Sequence, residues 1–239
     1  MFLGFYNYTV YLTYLNALTG FLGIYIILDD SNNLNPITYA SICLLLSGIF
    51  DMLDGFVSNL KKKRSIEEKK YGIQIDSLAD IISFGILPIL IEFKMFKNIA
   101  NFKHNKIFSF LFLISSIVYI LAVLIRLAYF NVLAEKKINC KTPKENIKTF
   151  IGLPVTFASV IFPFFILSQN VILSFDNGFF KEQIKQFFYF IYCFFIILCS
   201  FLFVFNKIKF KKPKNIIFLI FSFLLFLLLI LTLIKTNIN

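Results

Sequence analysis

The sequence predicts an all-α protein that crosses a membrane several times, and three observations support this fold class. Its 239 residues are 59% hydrophobic and only 15% charged, whereas soluble domains are about half apolar and about a quarter charged. The apolar residues form seven long runs. The basic residues fall mainly in the short segments between these runs.

The seven runs predict seven transmembrane helices. A helix needs about 20 apolar residues to cross the roughly 30 Å hydrocarbon core of a bilayer. Runs of suitable length lie at 9–28, 37–58, 72–94, 107–133, 150–174, 186–206 and 215–234. A membrane β-barrel would show short strands of alternating polarity instead. Because these runs are continuous, they favour a helix bundle.

The positive charge is distributed in a way that predicts the orientation of the bundle. Loops 59–71, 134–149 and 207–214 together hold sixteen Lys and Arg residues, and the intervening loops hold six before the C-terminal tail. Short cytoplasmic loops are enriched in Lys and Arg. The three basic loops and the N-terminus are therefore expected on the cytoplasmic side. The formal charge of +11 is explained by this topology, so a nucleic-acid partner is not expected.

Four carboxylates lie in two adjacent predicted spans, where charged groups are costly. Asp51 and Asp54 are near the cytoplasmic end of the second span, and Asp76 and Asp80 are near the cytoplasmic start of the third. Each costs about 2.5–3.5 kcal/mol at mid-span on insertion scales. The spacings i,i+3 and i,i+4 put each pair on one helix face. Positions at helix ends that reach water explain this pattern only in part, so a functional cluster is expected.

Four converging carboxylates would repel one another unless cations lay between them. Oxygen-only ligands suit hard cations such as Mg²⁺, Mn²⁺ or Ca²⁺, and the absence of nearby His or Cys argues against Zn²⁺. Two bridged cations about 3.5–4 Å apart suit phosphoryl transfer. Gly55 and Gly72 flank the acids, and they permit either close approach of a ligand or close packing of helices.

These residues form a string, Asp51-x-x-Asp54-Gly55 … Gly72-x-x-x-Asp76-x-x-x-Asp80, that resembles the signature of the CDP-alcohol phosphatidyltransferases. Within that family, Asp76-Ser-Leu-Ala-Asp80-Ile-Ile-Ser-Phe-Gly85 is similar to a segment of phosphatidylserine synthases. Thr13-x-x-Asn16-x-x-x-Gly20 and Arg126-Leu-Ala-Tyr-Phe-Asn131, followed by Gly152-Leu-Pro154, are similar as well. The resemblance covers about residues 10–165.

The chain departs from the family pattern at one point. An Ala-Arg pair usually stands three residues after the first glycine, and this chain has Ser58 and Asn59 there. The segment from Leu60 to Tyr71, before Gly72, is also longer than usual. The missing Arg affects the expected donor-site contacts more than the metal site. Arg64 or the 61–63 lysine run is a possible replacement if the loop folds back.

The resemblance implies a fold, an activity and a set of site residues. It implies a catalytic domain at 1–206 with a six-helix core, a basic loop and extra seventh helix at 207–239, and a homodimer in the cytoplasmic membrane. It implies transfer of a phosphatidyl group from CDP-diacylglycerol to L-serine with two Mg²⁺ or Mn²⁺ ions per site. The four aspartates would hold the metals, and Asp80 would also act as general base. The remaining positions are assigned to the donor (Gly55, Ser58, Gly72, Thr13 and Asn16) and to the acceptor or phosphate (Arg126, Asn131 and Ser83).

Several of these positions also have structural interpretations. Arg126 is the only Arg in a predicted span; it is expected to bind an anion, but it could also pair with an acid or extend toward the headgroups. Interhelical hydrogen bonds would explain Thr13 and Asn16, and a bond to its own helix would explain Ser83. For the whole chain, the alternatives are another acceptor, such as glycerol 3-phosphate or inositol phosphate, and a divalent-cation transporter. A transporter would place its acids near the midplane in related halves, and the sequence shows neither feature.

Overall fold

A computed structural model describes residues 4, 8–29, 35–60, 64–99, 106–139, 149–175, 180–207, 209–211, 224 and 226–230. Within these residues, the bundle contains the α-helices α1 (Tyr8–Leu28), α2 (Pro36–Leu60), α3 (Ile66–Asp80), α4 (Leu87–Lys97), α5 (Lys106–Asn139), α6 (Ala158–Phe175) and α7 (Lys181–Val204). Two short strands, β1 (Thr149–Ile151) and β2 (Lys209–Lys211), pair antiparallel with Phe150 opposite Phe210.

The predicted all-α, polytopic membrane fold is confirmed. Five described helical segments are long and apolar enough to cross a membrane: Val10–Leu28, Pro36–Ser58, Lys106–Lys136, Val155–Phe175 and Lys181–Val204. The predicted third span, 72–94, lies in a continuous helical stretch made of α3, a π-helical turn (Ile81–Ile86) and α4. These elements enclose one main apolar core in which Phe84, Tyr119 and Phe162 are fully buried.

Only part of the predicted seventh span, 215–234, falls within the described residues. Residues 224 and 226–230 are helical, and the remainder of that span lies outside the described part of the chain. Leu229 is buried in a small cluster with Leu45 of α2 and Leu167 of α6. This segment of the tail therefore packs against the bundle.

The structure corrects the predicted start of the 150–174 span. Strand β1 occupies its first residues, Gly152 has φ +71°, and α6 begins only at Ala158 after a 3₁₀ turn (Val155–Phe157). Pro154 keeps the preceding residue out of the helical region, and the left-handed glycine turns the chain before it. The two strands were not predicted because each has only three residues.

The predicted loop 59–71 is also shorter in the structure. Helix α3 begins at Ile66, so Lys69 and Lys70 are helical. Ser65 caps the helix in a reciprocal arrangement: its side chain accepts from Glu68 N, and its own N–H donates to Glu68 Oε2. The first turns of α3 are highly charged, so hydropathy placed the helix start too late.

The π-helical turn lies between α3 and α4 because the regular hydrogen-bond pattern is interrupted there. Pro88 has no N–H and cannot bond to the carbonyl of Phe84. Tyr119 of α5 donates its hydroxyl to Phe84 O at 2.8 Å, and Tyr192 of α7 donates to Pro88 O at 3.0 Å. Two buried tyrosines thus bond to carbonyl groups of the π-helical turn and of the first turn of α4.

Helix α1 packs closely against this irregular segment. A Cβ atom at Gly20 would overlap Ser83 of the π-helical turn, so only glycine permits the observed approach. Ser83 donates its hydroxyl to Asn16 O at 3.0 Å. The contact places Thr13 and Asn16 of α1 beside the aspartates of α2 and α3.

Candidate active site

The four predicted aspartates converge where α2 and α3 face each other. Asp51, Asp76 and Asp80 each offer a carboxylate oxygen, and these oxygens all lie within 4.8 Å of one another. The carboxyls of Asp51 and Asp80 are side by side, as are those of Asp54 and Asp76. Asp54 and Asp80 are buried, with 9% and 6% of their surfaces exposed. The i,i+3 and i,i+4 spacings therefore produce the expected cluster.

Helix α1 supplies two hydrogen bonds to this aspartate cluster. Thr13 donates its hydroxyl to Asp54 Oδ2 at 2.7 Å, and Asn16 donates Nδ2 to Asp80 Oδ1 at 3.2 Å. Both residues are buried. They were predicted to bind the donor, and the structure shows that they contact the carboxylates. Of the two, Thr13 also lines a cavity.

Two cavities meet at the aspartate cluster. Cavity I has a volume of about 320 Å³ and is bounded by α1, α2, α3 and the end of α5. Cavity II has a volume of about 410 Å³ and lies between α2, α3, α5 and the segment that precedes α6. Asp54 and Asp76 line both cavities. A molecule in either cavity would therefore reach the same carboxylates.

The glycines next to the aspartates face open space in cavity I. A Cβ atom built on Gly55 or Gly72 would meet no atom within 4 Å. Both residues line the cavity together with Ser58, whose hydroxyl bonds back to Gly55 O at 3.1 Å. Of the two interpretations left open by the sequence, the geometry favours ligand approach over helix packing.

Arg126 lines cavity II, and its guanidinium group also contacts backbone carbonyls. Nη1 donates to Phe203 O at 3.3 Å and Nη2 to Gly152 O at 3.2 Å. The guanidinium carbon lies 4.1 Å from the centroid of the Phe130 ring. Arg126 therefore connects α5 to the end of α7 and to the turn before α6. That turn also supplies Pro154 to the cavity wall.

Asn131 lines cavity II. It also belongs to a polar network that was not predicted from the sequence. Ser77 donates its hydroxyl to Asn131 Oδ1 at 2.7 Å, and Asn131 Nδ2 donates to Gln74 Oε1 at 3.4 Å. Gln74 in turn donates to Glu135 Oε1 at 3.1 Å. Ser77 and Gln74 share the C-terminal half of α3 with Asp76 and Asp80, and this position was the available signal for them.

Ser83 does not lie at the cavities, where its expected contact with the acceptor would place it. It is fully buried, it bonds to Asn16 O on α1, and it is not among the residues that line cavity I or cavity II. The expected acceptor contact therefore has no support in the geometry. The alternative of a bond to its own helix is replaced by a bond to a neighbouring helix.

The residues of the aspartate cluster fit a hard divalent cation. All ligand atoms are oxygens, which is the donor set of Mg²⁺ and Mn²⁺ sites. Asp76 Oδ1 and Asn16 Oδ1 are buried oxygen atoms that have no hydrogen-bond partner among the described residues. Unpaired buried acceptors are costly, and a bound cation would satisfy atoms of this kind.

One further buried acid was missed by the sequence analysis. Glu92 of α4 is fully buried and accepts hydrogen bonds from Ser115 Oγ at 2.9 Å and Cys193 Sγ at 3.2 Å. It lies in the predicted third span, so the argument that selected the four aspartates applied to it as well. It links α4 to α5 and α7, and it does not line either cavity.

Comparison with known proteins agrees with the geometry. The sequence model of the CDP-alcohol phosphatidyltransferase family matches residues 6–198. A CDP-diacylglycerol–serine O-phosphatidyltransferase of Saccharomyces cerevisiae is 33% identical over 210 residues, which cover 85% of this chain and 70% of the relative. An archaetidylserine synthase of Methanothermobacter thermautotrophicus is 32% identical over 157 residues, which cover 66% of this chain and 56% of the relative.

A CDP-diacylglycerol–serine O-phosphatidyltransferase of Helicobacter pylori is 30% identical over 190 residues, 77% of this chain and 68% of the relative. The chain thus spans between 56% and 70% of the length of these three relatives. No solved structure matches it. The resemblance inferred from the aspartate motif is confirmed, and the chain belongs to the CDP-alcohol phosphatidyltransferase family.

Proposed function

We propose that this chain transfers the phosphatidyl group of CDP-diacylglycerol to L-serine, which gives phosphatidylserine and CMP. The observation that carries the proposal is the aspartate cluster at the junction of two cavities. A two-substrate transfer needs a donor and an acceptor that approach one reacting phosphorus from different sides. The names of the relatives from Saccharomyces cerevisiae and Helicobacter pylori support serine as the acceptor.

The donor nucleotide occupies cavity I in this proposal. Gly55 and Gly72 have no side chain to fill the space beside their helices. Ser58 and Thr13 add hydroxyl groups to the cavity wall. A flat pyrimidine and its ribose can lie against a helix that has no Cβ at the contact point. The diphosphate would then extend toward Asp54 and Asp76, which line the same cavity.

The acceptor enters through cavity II. Among the described residues that line this cavity, Arg126 carries a positive charge, and Asn131 and Thr156 add polar groups. The carboxylate of serine would approach the Arg126 guanidinium, since arginine pairs readily with carboxylates. Its hydroxyl group would then face Asp80, which lines the same cavity.

Asp80 acts as the general base. Its carboxylate takes the proton of the serine hydroxyl while that oxygen bonds to the phosphorus that carries diacylglycerol. The bond from this phosphorus to the bridging oxygen breaks, and CMP leaves with that oxygen. The hydrogen bond from Asn16 to Asp80 Oδ1 holds the carboxylate in orientation.

Asp51, Asp54, Asp76 and Asp80 would hold two Mg²⁺ or Mn²⁺ ions. When bound, such ions neutralise the diphosphate and the charge that develops on the leaving oxygen. Thr13 fixes the rotamer of Asp54 through its hydrogen bond and so maintains the donor set. Activity is expected to depend on added divalent cation and to be lost in chelator.

The proposal includes the location and assembly expected from the sequence. The protein would lie in the cytoplasmic membrane with its site near the cytoplasmic face, and residues 1–206 would form the catalytic domain. Residues 207–239 would add the basic loop and the seventh helix. A homodimer is also part of the proposal. Light scattering on the purified protein in detergent should then give a protein mass of two 27.8 kDa chains.

The direct test is incubation of the purified protein with CDP-diacylglycerol, Mn²⁺ and one alcohol at a time. The panel consists of L-serine, glycerol 3-phosphate, inositol phosphate and water alone. We expect CMP release above the water control with serine. Release with another alcohol instead would keep the reaction class and replace the acceptor, whereas no release with any alcohol would exclude the transferase.

A further inference from the structure

We propose that Arg64 binds the phosphate of the CMP half of the donor from the wall of cavity I, with Lys69 in support. This inference rests on the proposed function and deepens it by naming a binding residue outside the aspartate motif. The structure provides three independent observations: the position of Arg64, an unpaired nitrogen on it, and the arrangement of charge along the cavity.

The first observation is that the N-terminus of α3 holds Arg64 at the cavity. Arg64 directly precedes Ser65, whose capping box with Glu68 fixes the backbone at this point. Arg64 lines cavity I together with Gly55 and Ser58 of α2. The residues that lead into α3 thus bring a guanidinium group to a cavity wall that α2 also forms.

The second observation is an unsatisfied donor. The Nε atom of Arg64 is buried and has no hydrogen-bond acceptor among the described residues. A buried N–H on a charged group is costly when unpaired. An anion in cavity I would supply the acceptor, and a guanidinium group matches the geometry of phosphate oxygens.

The third observation is that the wall of cavity I changes charge along α3. Lys69, Gly72, Ile73 and Asp76 line the cavity from one helix face. Lys69 and Asp76 are about 10 Å apart along the axis, at 1.5 Å per residue. Among the described residues, neither Asp54 nor Asp76 forms an ion pair with Arg64 or Lys69. The cations are therefore available to a ligand that also reaches the acids.

A nucleotide diphosphate fits this arrangement. Its bridging region would lie at the acids with their cations, and the phosphate attached to the nucleoside would lie toward Arg64. That phosphate gains negative charge when CMP leaves, so a cation beside it stabilises both the donor and the product.

The test is binding of CMP, without turnover, to the full chain in nanodiscs of phosphatidylcholine with Mn²⁺ present. Arg64→Gln should weaken CMP binding about tenfold or more, because a hydrogen bond to a charged group is lost. Binding of cytidine, which has no phosphate, should stay within about twofold. Arg64→Lys keeps the positive charge but lacks Nε, so its affinity for CMP should lie between that of the wild type and that of Arg64→Gln. Retained Mn²⁺ binding by each variant shows that the site is folded.

Lys69→Gln and Lys70→Gln form a matched pair. Lys70 is the next residue on α3 and does not line cavity I, so only Lys69→Gln should weaken CMP binding. Equal losses of affinity for CMP and for cytidine in Arg64→Gln would show that Arg64 contacts the nucleoside, and this result would overturn the phosphate assignment. Unchanged CMP binding, with lost retention of phosphatidylglycerol in anionic nanodiscs, would assign Arg64 to a lipid headgroup instead.

The outcomes also separate this inference from the proposed function. If the wild-type chain bound no CMP and released none, both would fail. If CMP binding depended on Arg64 while serine did not act as acceptor, only the acceptor assignment would fail.

Discussion

Thr13 donates a hydrogen bond of 2.7 Å to Asp54 Oδ2 across 41 positions of sequence, and this bond joins α1 to the aspartate cluster. Thr13 is 4% exposed, so its hydroxyl group is held in the interior of the bundle. The polar residues of α1 thus act on the site by holding carboxylates. A hydroxyl group here sets the orientation of one proposed metal ligand.

Replacement of Thr13 by Val should therefore impair metal binding. The substitution keeps the shape and removes the donor, and a hydrogen bond to a charged group contributes about 1.5–3 kcal/mol. We expect the Mn²⁺ concentration for half-maximal activity to rise about tenfold or more. Thr13→Ser should remain close to wild type because it keeps the hydroxyl.

Thr19→Val is the matched control for Thr13→Val. Thr19 lies on the same helix and bonds to Leu15 O, Asn16 O and Ser47 Oγ. It does not contact the aspartate cluster, so its substitution should leave the Mn²⁺ dependence unchanged. Equal shifts in both variants would mean that the effect reflects general damage to α1.

Asp80→Asn should separate binding from chemistry. The amide retains one carbonyl oxygen for the cluster but cannot accept the serine proton. We expect CDP-diacylglycerol binding within a few-fold of wild type and a loss of turnover of about 10²–10⁴-fold. Binding is measured by competition with CMP and turnover by CMP release with serine. Turnover close to wild type would exclude Asp80 as the general base.

Gly55 and Gly20 provide a test of the two roles that glycine has in this bundle. A Cβ at Gly55 would meet nothing within 4 Å, whereas one at Gly20 would overlap Ser83. Gly55→Ala should keep or raise the unfolding temperature, since Ala favours a helix by up to about 1 kcal/mol over Gly. It should still raise KM for CDP-diacylglycerol because its methyl group enters cavity I.

Gly20→Ala should lower the unfolding temperature instead. The added methyl group forces α1 away from the π-helical turn and so removes packing that Gly55→Ala leaves intact. Thermal unfolding in detergent and KM are measured for both variants. A lower unfolding temperature and unchanged KM for Gly55→Ala would show that Gly55 is a packing residue.

The sequence allowed the aspartate cluster to be predicted because helix periodicity is local. Asp51 and Asp54 share a face whatever the rest of the bundle does, and the same holds for Asp76 and Asp80. The contacts of Arg126 could not be predicted in this way. They depend on Gly152 and Phe203, which lie 26 and 77 positions away and reach Arg126 only through the packing of α5 on α7.

The reliance on local sequence patterns also limited the prediction of helix boundaries and of the role of Ser83. Hydropathy does not register a capping box or a proline that removes a hydrogen bond, so the start of α3 and the π-helical turn were missed. Ser83 was assigned from its place in a motif. Its actual partner, Asn16 O, is determined by the close approach of α1 at Gly20.

Gly152→Ala should weaken the use of serine more than the use of the donor. Gly152 has φ +71°, a conformation that costs other residues about 1–2 kcal/mol, and its Cβ would lie 2.6 Å from Arg126 Nη1. The turn must therefore shift, and with it both Arg126 and the adjacent Pro154 wall of cavity II. We expect a lower unfolding temperature and a raised KM for serine, with KM for CDP-diacylglycerol unchanged because cavity I is not bounded by this turn. A lowered unfolding temperature with both KM values unchanged would show that the turn supports the fold and that cavity II does not receive the acceptor.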